Sequence, residues 1–174
     1  MLSNFKNLGI DPRVISKIVL SHEHWDHTGG LKALVPFIGD AELYRLATRS
    51  PRENIRLMPT EDAREITQGV YTTGRLKGSV DEQSLVIKGK KGWYVLVGCS
   101  HPGVKEILTV AKQYGNIRGL IGGFHGFNDF NVVQDLDFIC PCHCTAHKKD
   151  LKKAFPDKIS DCGVGKIIDL NVVV

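Results

Sequence analysis

The pattern of this chain predicts a layered domain of mixed strands and helices, and three observations carry that prediction. Short runs rich in β-branched residues recur along its 174 residues, most of them ending in a glycine-containing loop. Segments with apolar residues at helical spacing fall between these runs. Six of the seven histidines stand where a strand-like run ends. Strands and helices in this rhythm make an α/β or α+β layered fold, and the strand ends of such a sheet form one rim where residues distant in sequence can meet.

Taken in order, residues 2–8 read as a helix end. Val14-Ile15-Ser16-Lys17-Ile18-Val19-Leu20 then reads as a strand buried on both faces. A histidine-rich loop follows. Thr28-Gly29-Gly30 opens a helix over residues 31–35, and the stretch from there to Gln68 looks less regular. Gly69-Val70-Tyr71-Thr72-Thr73 is β-prone, and Ser84-Leu85-Val86-Ile87-Lys88 pairs with Trp93-Tyr94-Val95-Leu96-Val97 across the Gly89-Lys90-Lys91-Gly92 turn. Residues 102–114 form a helix with Val104, Ile107, Leu108 and Ala111 at helical spacing. Gly119-Leu120-Ile121 and residues 166–170 read as strands, with a helix over 145–154 between them.

The length is that of one domain, so residues 1–174 are expected to share a single core. No apolar run is long enough to span a bilayer, and the first residues lack the basic-then-apolar layout of a signal peptide; a soluble, cytoplasmic protein is expected, with no membrane partner. The net charge of +4 is mild and its basic residues are spread out. Neither Lys88-Gly89-Lys90-Lys91 nor the lysines around Asp150 make a nucleic-acid surface: the first reads as a hairpin turn and the second as a solvated helix face. The five cysteines are odd in number, and three crowd into Cys140-Pro141-Cys142-His143-Cys144. A thiolate zinc site is one reading of that stretch. Strand alternation, however, puts Cys142 and Cys144 on the face opposite His143, so the cysteines read as small buried residues and His143 as the functional one.

The chemistry concentrates in Ser21-His22-Glu23-His24-Trp25-Asp26-His27-Thr28-Gly29-Gly30. Imidazole nitrogen and carboxylate oxygen suit zinc, iron(II) or manganese(II), and few other purposes would bring His22, His24, Asp26 and His27 so close together. If the strand continues briefly, His22, His24 and Asp26 share one side by the period-two rule, with His27 joining from the turn. Later single histidines repeat the strand-end placement: His101 in Gly98-Cys99-Ser100-His101-Pro102-Gly103, His125 in Gly122-Gly123-Phe124-His125-Gly126, and His143. Only His147 falls outside this pattern, on the first turn of the helix that follows.

Together these residues resemble the metallo-β-lactamase superfamily. His22, His24, Asp26 and His27 match its H-x-H-x-D-H hallmark, and the strand-end histidines match its further metal motifs. Within it, Gly98-Cys99-Ser100-His101-Pro102-Gly103, Gly122-Gly123-Phe124-His125 and Pro141-Cys142-His143-Cys144-Thr145 resemble the branch of metal-dependent hydrolases labelled dihydropterin ribofuranosyl-aminobenzene phosphate synthase-like. The resemblance runs from residue 8 to the end.

It implies an αβ/βα sandwich and two divalent metal ions, zinc first, with manganese and iron as alternatives. By position, His22, His24 and His101 would hold one ion, and Asp26, His27 and His143 the second. Water between the ions would become hydroxide, Asp26 would orient it, and His125 would act as general acid or substrate-positioning donor. Most of the superfamily also has a bridging aspartate near Gly122-Gly123-Phe124-His125, where this chain has no carboxylate, and several strands ahead of the first histidines, so the fold is expected to lack its N-terminal strands. The function implied is a metal-dependent hydrolase of a small phosphoester or other ester or lactone. The alternatives are a degenerate metal-binding remnant or assembly subunit, and a ribonuclease of the same superfamily. A strand over 14–20 without upstream neighbours would expose an edge, which predicts a homo-oligomer.

Overall fold

The computed structural model describes residues 1–48 and 53–171. They fall into two compact units, Met1–Glu61 and Asp62–Val174.

The first unit holds α1 (Leu2–Asn7), β1 (Lys17–Val19), α2 (Trp25–Thr28), α3 (Leu31–Leu34), β2 (Ala41–Arg45) and β3 (Ile55–Pro59). Its strands form a parallel sheet in the order β1-β2-β3, with Ile18 opposite Leu43 and Leu43 opposite Leu57. Leu20, Leu31, Leu34, Val35, Ile38 and Leu43 are buried in one cluster, with Leu43 on the central strand fully enclosed. Covering both sides of a parallel strand is the usual requirement for this type of sheet.

The strand expected over residues 14–20 is shorter and less buried than the β-branched run suggests. Asp11 accepts a hydrogen bond from the Arg13 N–H, and Pro12 starts a 3-10 turn that takes Val14 out of the sheet. Val14 is 74% exposed, and β1 is only partly covered. The stretch up to Gln68 is more regular than expected: it contains β2, β3 and β4 (Arg64–Thr67). The helix expected over 31–35 is α3, closed by a 3-10 turn over Val35–Phe37 that contains Pro36.

The second unit continues from β4 with β5 (Val70–Thr72), β6 (Leu85–Gly89), β7 (Gly92–Val97), α4 (Val104–Ala111), β8 (Ile117–Gly123), β9 (Phe138–Cys142) and α5 (Lys148–Ala154). One six-stranded sheet runs β4-β5-β6-β7-β8-β9. It is antiparallel as far as β7, where Gly89 and Gly92 close the expected hairpin, and parallel from β7 to β9. Val104, Ile107, Leu108 and Ala111 form the buried face of α4, as their spacing predicts. They join Val86, Val95, Leu120, Ile139 and Leu151 in the core.

Residues 166–170 do not form the expected strand. Ile168 and Leu170 pack against Tyr94, Phe138 and Cys140, but Ile167 is 87% exposed and the segment joins no ladder among the described residues. The last helix starts three residues later than expected, with His147 as its N-cap, and Leu151 is its buried residue among exposed lysines. Among the described residues no helix is long and apolar enough to cross a membrane.

Candidate metal centre

In the first unit the chain leaves β1 and turns within a few residues, so strand alternation does not govern the placement of His22, His24, Asp26 and His27. His24 is the N-cap of α2, and Asp26 and His27 lie in its single turn. The side chains nevertheless converge. The His22 ring centroid is 4.8 Å from that of His24 and 4.1 Å from that of His27. Asp26 Oδ2 lies 3.6 Å from His27 Nε2. Ser21 Oγ sits 3.0 Å from His22 Nδ1 and 3.3 Å from His27 Nδ1, so one hydroxyl engages the same nitrogen of both rings. His22 is fully buried, whereas His24 and Asp26 are exposed. Glu23, the other carboxylate in the loop, is taken by Arg45.

In the second unit three parallel strands end at one level, because Val97 pairs with Gly122 and Gly123 with Cys142. The loop after β7 carries His101, and its shape is set by Glu82, which is fully buried. Glu82 Oε1 accepts the backbone N–H groups of Gly98, Cys99 and Ser100 at 2.9, 2.9 and 3.1 Å, and Oε2 accepts that of His101 at 3.0 Å. Successive N–H groups converging on one anion require a chain reversal, and Ser100 supplies it with a φ of 61°. His125, beyond β8, has a φ of 47°, and its ring lies 5.2 Å from that of His101.

His143 follows directly on β9 with a φ of 45°. The alternation argument that separates it from the cysteines therefore ends at Cys142. One donor atom each from Cys99, His143 and Cys144 lie within 4.8 Å of one another. Cys140 and Cys142 behave differently: burial, and secondarily Cys162, push their thiols up to about 12 and about 11. Those two stay neutral and fit the expectation of small buried residues. His147 occupies the N-cap position of α5, its Nδ1 lies 3.1 Å from Asp150 Oδ2, and it belongs to none of the donor groups found among the described residues.

The structure thus brings His22, His24, Asp26 and His27 together in one unit. In the other it pairs His101 with His125 and sets His143 beside two thiols. Imidazole, carboxylate and thiol donors in these groupings could hold a divalent metal ion. Sequence reasoning missed Glu82 because its partners are backbone amides many residues downstream. Ser21 was visible beside the histidines, but its double contact was not.

The profile of the metallo-beta-lactamase superfamily matches residues 2–109 of the chain. The 7,8-dihydropterin-6-methyl-4-(beta-D-ribofuranosyl)-aminobenzene-5'-phosphate synthase of Methanocaldococcus jannaschii is 28% identical over 234 residues, covering 97% of this chain and 80% of that protein. That aligned length exceeds the 174 residues present here, so the relative carries internal segments with no counterpart in this chain. An uncharacterized protein of the same organism is 26% identical over 200 residues, covering 88% of this chain and 78% of its own. The crystal structure of a metal-dependent hydrolase of the beta-lactamase superfamily matches with a TM-score of 0.77 at 25% identity, covering 98% of this chain and 84% of that one. The metallo-beta-lactamase fold protein YhfI from Bacillus subtilis matches with a TM-score of 0.65 at 14% identity, covering 95% and 81%. This chain shares their mixed α/β fold.

Proposed function

The chain belongs to the metallo-beta-lactamase superfamily, and from that premise we propose that it is a metal-dependent hydrolase of a small phosphoester or related ester or lactone. The observation that carries the reading is the convergence of His22, His24 and His27 with Asp26 on one short turn. His22, His24 and His101 would hold one divalent ion, and Asp26, His27 and His143 a second, with zinc first and manganese or iron as alternatives. Bound ions of this kind lower the pKa of a water molecule toward neutrality and polarise the bond to be cut.

The chain's own groups have separate tasks. Ser21 Oγ is placed to accept from an Nδ1–H of His22 and of His27, an arrangement that would leave Nε2 of each ring as the ligand nitrogen. Asp26 would orient the attacking water and take up its proton. His125 would donate a proton to the leaving oxygen; its left-handed backbone is the kind of strain that clusters at functional positions. The phosphoester preference draws on the name of the Methanocaldococcus relative, which contains a 5'-phosphate. A ribonuclease is disfavoured by the mild net charge of +4.

The second reading is a metal-binding protein without turnover. It is favoured by the residues within the aligned span of the relative that have no counterpart in this chain. One experiment tests both. Protein loaded with zinc or manganese should retain one to two ions per chain by elemental analysis. It should also hydrolyse members of a phosphomonoester, phosphodiester and lactone panel, with chelator abolishing the activity. Less than one ion per chain sinks the metal assignment; full loading with no turnover on any panel member selects the inert reading.

A further inference from the structure

We propose that Cys99, His143 and Cys144 form a thiolate-rich position for a borderline divalent ion, zinc first, which would add one ion to the one or two that the imidazole–carboxylate sites proposed above would hold. Their donor atoms lie within 4.8 Å of one another. Two sulfurs and one nitrogen around a tetrahedral zinc sit about 3.5–3.8 Å apart, so closure needs only about 1 Å of side-chain adjustment. The fourth position would fall to water or substrate. On binding, each thiol gives its proton to solvent.

The backbone holds this geometry in advance. Cys99 lies in the loop clamped by Glu82, whose Oε1 accepts the Cys99 N–H at 2.9 Å. The neighbouring Ser100 hydroxyl donates to the Gly123 carbonyl at 2.8 Å, which ties that loop to the end of β8. On the other side, the Thr145 hydroxyl donates to the Cys142 carbonyl at 2.7 Å and accepts the Phe124 N–H at 3.0 Å, so the turn that carries His143 and Cys144 is tied to the same strand end. Gly123 lies between the two loops. A Cβ there would come within 2.4 Å of the Gly98 carbonyl oxygen and 2.8 Å of Cys144 Sγ, so only glycine lets the thiol approach. His143 and Ser100 both hold positive φ, and strained residues on both sides of a donor cluster are expected where geometry serves binding.

All three donors belong to the unit Asp62–Val174, so the position does not depend on the histidines of the first unit. Only the shared use of His143 rests on the hydrolase reading, and an imidazole has two ring nitrogens to offer.

Cobalt(II) is the probe, because thiolate ligation gives a near-ultraviolet charge-transfer absorption that imidazole and carboxylate do not. Cobalt added to chelator-stripped protein should produce that absorption, and zinc should displace it. The double variant Cys99→Ser, Cys144→Ser should lose it, while His22→Ala should keep it. Cobalt binding without the absorption overturns the proposal. So does an absorption that survives the double variant, which would place the thiolates among Cys140, Cys142 and Cys162.

Alkylation of the wild-type chain gives a check that needs no variant. Zinc should slow modification of Cys144, followed by peptide mass spectrometry, and leave Cys162 unaffected. Equal rates at Cys144 with and without zinc refute the site. Hydrolysis plays no part in these readouts, so an inactive protein that retains the absorption keeps the thiolate position and loses only the hydrolase reading.

Discussion

Replacing Glu82 by glutamine leaves the side chain's size almost unchanged and removes its charge, which isolates the role of the carboxylate. The structure permits an order-of-magnitude forecast. Three N–H groups, from Gly98, Cys99 and Ser100, converge on Oε1 and a fourth, from His101, on Oε2. Hydrogen bonds to a charged group contribute about 1 kcal/mol more than neutral ones, so an amide oxygen in place of Oε1 weakens three bonds by roughly 1 kcal/mol each. The amide NH2 in place of Oε2 faces the His101 N–H, donor against donor, at a cost of about 1–3 kcal/mol. These terms share one loop and do not simply add, so a loss of about 4 kcal/mol is the expectation. For a unit of this size that corresponds to a midpoint on the order of 15–30 °C lower. Thermal and urea unfolding followed by circular dichroism would measure it, with Glu82→Asp expected to recover part of the loss because it restores the charge on a shorter arm. A Glu82→Gln midpoint within about 2 °C of wild type would refute the reasoning and mean that the Gly98–His101 turn holds its shape without the anion.

Three further outcomes follow from the geometry. Asp26→Asn should lose both metal and turnover, whereas His125→Ala should keep its metal while turnover falls on the order of a hundredfold; elemental analysis and steady-state rates separate the two, and metal loss in both would make His125 a ligand. In the first unit, hydrogen bonds from Lys17, and then from Tyr44 and Arg56, depress the Glu42 carboxyl to about 2. A depressed carboxyl stabilises the fold above its unfolded value and loses that contribution as pH falls from about 4.5 to about 2. Acid unfolding should therefore shift in Glu42→Gln and flatten in high salt, and an unchanged acid limb in the variant would contradict the assignment. Finally, β1 has its one strand partner in β2 among the described residues, and Val14 beside it is 74% exposed. Self-association through this edge is expected, and light scattering that shows a monomer at high concentration would rule it out.

The regular periodicities of the chain were legible in advance. The apolar spacing of α4 and the hairpin between β6 and β7 declared themselves because each depends on residues adjacent in sequence. β2 and β3 did not. A strand enclosed by parallel neighbours owes its conformation to those neighbours, and Ala41-Glu42-Leu43-Tyr44-Arg45 carries no clean alternation of its own. Residues 166–170 failed in the opposite sense: the β-branched pair is present, but Ile167 points to solvent and no strand among the described residues pairs with it. In the site, His22, His24, Asp26 and His27 stood out as a cluster, yet period-two reasoning assigned their sides from a strand that stops at Val19. The same rule separated Cys144 from His143 until a positive φ at His143 cancelled it. Local pattern thus identified the donors, while backbone reversals decided which of them meet.

The level ending of β7, β8 and β9 makes ion uptake an indicator of how well the chain has folded. With Val97 opposite Gly122 and Gly123 opposite Cys142, the loops that carry Cys99 and His143 depart from a common height. A slip of one residue at either pairing would displace one loop by about 3.3 Å and invert every side chain on the slipped strand. A protein assembled one step out of alignment could keep its secondary structure and much of its compactness, yet its donors would be too far apart to share an ion. During refolding, the fraction of chains that take up cobalt should therefore lag behind the recovery of circular dichroism and report the correctly aligned population alone.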